Sequence, residues 1–164
     1  MTRSVRVASL LFSGLFAGFL TGVMVLEFSL RRFDGTVYTQ VRLVELDSLD
    51  KLAIVTLLPA LLTTAILTYR TFRTNTRWLT LAALALLLFV FCLTIVVNLP
   101  INADQLEWNP QSPPADWSAI RNRWQLAHFA RTVAAILAFA SLSLAATLPS
   151  RARIALTLAG RQSN

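Results

Sequence analysis

Four apolar runs, at residues 7–28, 52–69, 78–99 and 127–148, dominate a chain of 164 residues. Each is close to the 17–25 residues that a helix needs to cross the hydrocarbon core of a bilayer. Hydrophobic residues make up 55% of the chain. A chain this short has too little other material to hide four such helices from water. The bilayer is therefore the expected solvent. In lipid every backbone polar group must be paired internally, which selects helices or closed barrels. The runs are rich in Leu and Ala and lack period-two alternation, so a barrel is not expected. The reading is all-α: a four-transmembrane-helix bundle forming one integral membrane domain over residues 1–164.

The net charge of +7 invites a nucleic-acid reading, but the distribution of charge points elsewhere. Arg3 and Arg6 precede the first run, Arg70, Arg73 and Arg77 fill the turn between the second and third, and Arg151, Arg153 and Arg161 lie in the tail. Those segments hold no acid. All eight acids, Glu27, Asp34, Glu45, Asp47, Asp50, Asp104, Glu107 and Asp116, belong to the other two loops or the helix ends beside them. This is the positive-inside pattern. It places both termini and the second turn in the cytoplasm of what is expected to be a bacterial cytoplasmic membrane. The basic residues have no interleaved aromatic platform, so no nucleic-acid partner is expected.

Cys92, the one cysteine, falls inside the third run and reads as a small core hydrophobe. Gly14, Gly18 and Gly22 recur every four residues in the first run. Such a stripe lets another backbone approach closely, either within the bundle or across a homo-oligomer. Asp34-Gly35 reads as a turn. Residues 38–49 then suggest a short interfacial helix with Val41, Val44 and Leu49 on its apolar side. Pro59 is tolerated inside a membrane helix. Pro100 is expected to end the third helix. Asp116 or Ser118 is expected to cap the fourth, which starts near Trp117.

Candidate chemistry collects on the non-cytoplasmic side, where Glu27, Tyr38, Asn98, Asn102, Trp124, His128 and Arg131 lie. Arg121, Trp124, His128 and Arg131 sit at offsets of 0, 3, 7 and 10, one stripe of a 3.6-residue helix. Residues 132–148 carry no charge, so Arg131 lies inside the apolar span. A charge there must face the bundle and find a partner. Glu27 is the natural counter-ion, with Asp47 and Asp50 as alternatives. His128, the one histidine, can act as a general base when neutral, or serve as a hydrogen-bonded structural residue. Asn98-Leu99-Pro100-Ile101-Asn102 pairs a proline with two amides, which either satisfy loose backbone groups or aim donors at a substrate oxygen. One histidine and one cysteine make no His-rich zinc or bis-histidine haem site. No glycine-rich phosphate loop is present.

These residues carry a resemblance. Asn98-Leu99-Pro100-Ile101-Asn102, then Trp108, then Arg121-x-x-Trp124-x-x-x-His128-x-x-Arg131, resembles the pattern of the anthrone oxygenase-like family of small four-helix membrane proteins, long known as a domain of unknown function. The glycines of the first run, Gly14 and Gly18, are similar too. The resemblance implies oxidation of a tricyclic anthrone to an anthraquinone by O2, with neither metal nor flavin. It implies His128 as base, Asn98, Asn102 and Arg131 as stabilisers of the enolate oxygen, and Trp124 and Trp117 stacked on the flat ring. Glu27, Tyr38 and Arg121 complete the expected substrate-binding set. The expectation is an oxygenase or oxidoreductase acting on a lipophilic anthrone- or quinol-like molecule. The alternative is a non-enzymatic small membrane subunit, scaffold or lipophilic-ligand-binding protein.

Overall fold

The computed structural model describes residues 2–148. The tail arginines Arg151, Arg153 and Arg161, which contribute to the charge asymmetry, lie outside the described residues. Helix α1 (Thr2–Ser29) ends in a 3-10 turn (Leu30–Arg32). Asp34 caps α2 (Gly35–Thr71) by accepting a hydrogen bond from the Val37 amide at 3.0 Å. Helix α3 (Arg77–Leu93) runs through a π-helical turn (Thr94–Asn98) into α4 (Leu99–Gln105). Helix α5 (Trp117–Thr147) follows a proline-rich loop. The result is four helices long and apolar enough to cross a membrane, and no strand among the described residues beyond an isolated bridge between Asn109 and Ser112.

The spans pack in the ring order α1, α2, α3, α5, each against two neighbours. Alanines 134, 135 and 138 of α5 are buried, facing a core that includes Phe16, Leu20, Leu57, Ala60, Leu87 and Val90. Small side chains here allow close helix contact where lipid supplies no hydrophobic drive. At the arginine-rich turn, the Thr71 and Thr80 hydroxyls meet at 3.0 Å and Thr68 donates to the Thr80 carbonyl at 3.0 Å. These bonds tie α2 to α3. At most 39% of any span's most apolar stretch is buried inside the bundle. The remaining surface needs lipid to cover it, so the chain is an integral membrane protein.

Several details differ from the sequence reading. There is no separate interfacial helix: residues 38–49 belong to α2, which at 37 residues is about 55 Å long. The side of this segment that turns inward carries buried charge. Val44 is 70% exposed while Arg42 and Glu45 are buried, because buried polar partners outweigh the apolar pattern. Pro100 does not stop the third span. Its ring would clash with the carbonyl four residues back, and it has no N–H to offer. The π turn absorbs both problems, with the Leu99 amide donating to the Thr94 carbonyl five residues earlier. Cys92 is exposed on the lipid side, not in the core. Asp116 occupies the N-cap of α5 without a side-chain bond. A Cβ on Gly14 would meet the Phe139 ring at 3.1 Å, whereas Gly18 and Gly22 face open space. Within one chain only the first of the three glycines is a close-packing site.

Candidate active site

The inward face of α2 presents Tyr38, Arg42, Glu45 and Leu49, at offsets of 0, 4, 7 and 11, one helical stripe. Arg42 is the hub. Its Nε donates to Gln105 Oε1 at 2.8 Å, its Nη1 to Glu45 Oε2 at 2.7 Å, and its Nη2 to Asn102 Oδ1 at 2.7 Å. Nη1 also lies 3.4 Å from Glu27 Oε1, and the guanidinium sits 4.0 Å from the centroid of the Trp124 ring. Glu27 takes two further bonds from Gln125 Nε2, at its carbonyl (2.9 Å) and at Oε2 (2.8 Å). The expected Glu27–Arg131 pair is therefore replaced by Glu27–Arg42. A guanidinium brought in by α2 reaches Glu27 before the one on α5 does. Asp47 is exposed and does not pair with Arg131 either.

Arg131 is buried and held by neutral groups. Its Nη2 is 2.8 Å from His128 Nδ1 and its Nη1 donates to Thr94 Oγ1 at 2.9 Å, while Nε has no partner. A guanidinium only donates, so Nδ1 of His128 must accept. The other ring nitrogen, Nε2, lies 3.0 Å from the Leu20 carbonyl, which only accepts, so Nε2 carries the hydrogen. The tautomer follows from these two partners. Both ring nitrogens are engaged, and the imidazole is stacked on Trp124 at 4.8 Å with 7° between planes.

Asn102 joins the two halves. Its Oδ1 accepts from Arg42 and from Trp124 Nε1, the latter at 2.7 Å. Its Nδ2 donates to both oxygens of Asp50 at 3.1 Å. Among the described residues the salt bridges are those of Arg42 with Glu27 and Glu45. Neither Asp50 nor Arg131 belongs to one.

Beneath these groups lies a cavity of about 330 Å³ whose wall is mostly apolar, with Phe16, Phe19, Leu20, Leu57 and Phe91 contributing. Arg42, Glu45, Asp50, Asn102, Trp124, His128 and Arg131 form its polar end. Ile54, Leu58, Ile95 and Leu99 line it too, and all four are exposed on the outside of the bundle. The cavity thus opens sideways between α2 and the α3–α4 limb. The volume is at the lower end of small-molecule sites, about 300–1,000 Å³. No group of three His, Cys, Asp or Glu side chains among the described residues has metal-holding geometry.

Of the residues singled out in the sequence, Asn102, Trp124, His128 and Arg131 meet at the cavity. Asn98 is buried beside it, donating to the Trp124 carbonyl at 3.4 Å with its Oδ1 unpartnered. Glu27 stands behind Arg42. Tyr38, Trp117 and Arg121 form a layer further out. The Tyr38 and Trp117 rings are 5.6 Å apart and Arg121 sits 4.8 Å from the Trp117 ring; none of the three lines the cavity. Arg42, Glu45 and Asp50 are the site residues that the sequence reading left out of its site. The signal for the first two was the Tyr38-Arg42-Glu45-Leu49 spacing.

Fold and site define a four-span membrane bundle with a lipophilic cavity capped by buried charge. More specifically, the chain belongs to the anthrone oxygenase family, whose model matches residues 50–141, more than half of its length. No curated protein and no solved structure matches it.

Proposed function

We propose that this protein is a membrane-embedded, cofactor-independent oxygenase of the bacterial cytoplasmic membrane, using O2 to oxidise a lipophilic, anthrone- or quinol-like aromatic. Family membership supports the reaction class. The observation that carries the substrate class is the cavity: apolar walls for a flat hydrocarbon ring, and at one end the Arg131 guanidinium for its oxygen. In this reading Arg131 faces the oxygen on which negative charge develops, and His128 fixes the guanidinium that does so. Such preorganised donors are worth most where water is excluded.

The test is oxygen uptake by the purified protein in lipid nanodiscs, offered anthrones and quinols. The expected result is uptake that depends on substrate and matches anthraquinone formed mole for mole. Uptake no faster than autoxidation in empty nanodiscs, for every compound, would overturn the reading.

A further inference from the structure

We propose that Asp50 is the base that takes the substrate's proton, with Asn102 as the positioning residue that holds it and Arg131 receiving the negative charge. This rests on the oxygenase reading and names the proton acceptor in the same site.

Four charged side chains reach the cavity: Arg42, Glu45, Asp50 and Arg131. Arg42 and Glu45 are bonded to each other at 2.7 Å, so protonating that carboxylate means breaking an existing pair. Asp50 and Arg131 stand outside the salt bridges of the described residues. Asp50 is a carboxylate with roughly four lone-pair sites, and its two oxygens share the amide of Asn102 at 3.1 Å. Lone pairs remain for a substrate. His128 lacks that freedom, since Nδ1 faces Arg131 and Nε2 faces the Leu20 carbonyl.

The orientation of Asn102 is dictated by its partners. Arg42 Nη2 and Trp124 Nε1 can only donate, and both point at Oδ1. Nδ2 must therefore be the atom turned to Asp50, and Asp50 must accept. Arg131 is the complement: a cation lining the same cavity, bonded to a hydroxyl and an imidazole and outside the salt bridges of the described residues. A proton passing to Asp50 leaves its charge on the substrate, where this guanidinium can meet it.

The steps balance. A methylene C–H bond breaks, its proton goes to Asp50, and its electron pair delocalises onto the substrate's oxygen. The enolate carbon then bonds to O2, reducing it to a peroxide, which takes the proton back from Asp50. Asp50 next removes the second hydrogen as a proton. The C–H pair becomes the new C=O bond, the O–O bond breaks, and hydroxide leaves to combine with that proton as water. The carbon is oxidised by O2 and Asp50 ends as it began.

Proton removal is measurable without oxygen. Anthrone is incubated anaerobically in D2O with the protein in nanodiscs, and loss of the methylene signal is followed by NMR. The wild type should speed exchange over empty nanodiscs. Asp50→Asn should slow catalysed exchange by about 100-fold or more, with unchanged melting temperature and anthraquinone affinity. Asp50→Glu, which retains a displaced carboxylate, should fall between the two and decides the matter if Asp50→Asn does not fold. Asn102→Ala should lower the exchange rate with anthraquinone affinity unchanged. Wild-type exchange no faster than empty nanodiscs, or undiminished exchange in the folded Asp50 variants, overturns the assignment. Exchange without oxygen uptake in air would keep Asp50 as base and sink the oxygenase reading. Oxygen uptake persisting in Asp50→Asn would do the reverse.

Discussion

At the scale of single residues, the site contains two differently organised guanidinium groups. Arg42 is held by the carboxylates of Glu27 and Glu45 and by two amides. Arg131 is held by an imidazole and a hydroxyl. They should respond differently to substitution. Arg42→Met strands two buried carboxylates, and breaking a buried ion pair in this way costs about 3–5 kcal/mol; a lower melting temperature in detergent is the expected reading. Arg131→Gln breaks no salt bridge of the described residues. It should leave the fold intact and lower turnover by about 100-fold or more, the usual loss for an oxyanion donor. His128→Ala should lose a similar factor. If His128 works through Arg131, the double variant is no slower than either single one, a non-additivity that a kinetic cycle measures. The α5 part of the site was legible because Trp124, His128 and Arg131 form a polar stripe inside an apolar span. Arg42, Glu45 and Asp50 were not, because they lie in a stretch whose mixed composition does not say which side turns inward. Val41 and Val44 marked an apolar side; the cluster on α1, α4 and α5 takes up the polar one.

At the scale of elements, the spans could be read from length and hydropathy alone, since no other composition of this length survives in lipid. Their ends could not. Pro100 signals a stop in a water-soluble helix, yet the π turn carries the helix past it and sets Thr94, Asn98 and Asn102 toward α5. Gly35 is the most closely packed of the described glycines: a Cβ there would lie 2.9 Å from the Trp117 ring and 3.0 Å from Pro113. Gly35→Ala should therefore destabilise by about 1–3 kcal/mol, read as a lower melting temperature, by pushing the start of α5 away from α2. Gly18→Leu should leave the melting temperature of one chain unchanged, because nothing lies within contact of that position. If the α1 stripe joins two copies, the same change converts the oligomer to monomer in size-exclusion chromatography with light scattering.

At the scale of the whole molecule, charge and bundle together predict an orientation. Reporter fusions at the N-terminus and at Arg73 should be active on the cytoplasmic side, and one in the loop near Pro110 on the other; the reversed pattern would refute the positive-inside assignment. The cavity's side door, framed by Ile54, Leu58, Ile95 and Leu99, carries a kinetic consequence. A molecule entering there is drawn from the hydrocarbon reservoir, so turnover follows its mole fraction among the lipids and not its molarity in buffer. Diluting proteoliposomes with buffer should barely change the rate for a strongly partitioning substrate, whereas fusing in blank lipid at fixed total substrate should slow it in proportion.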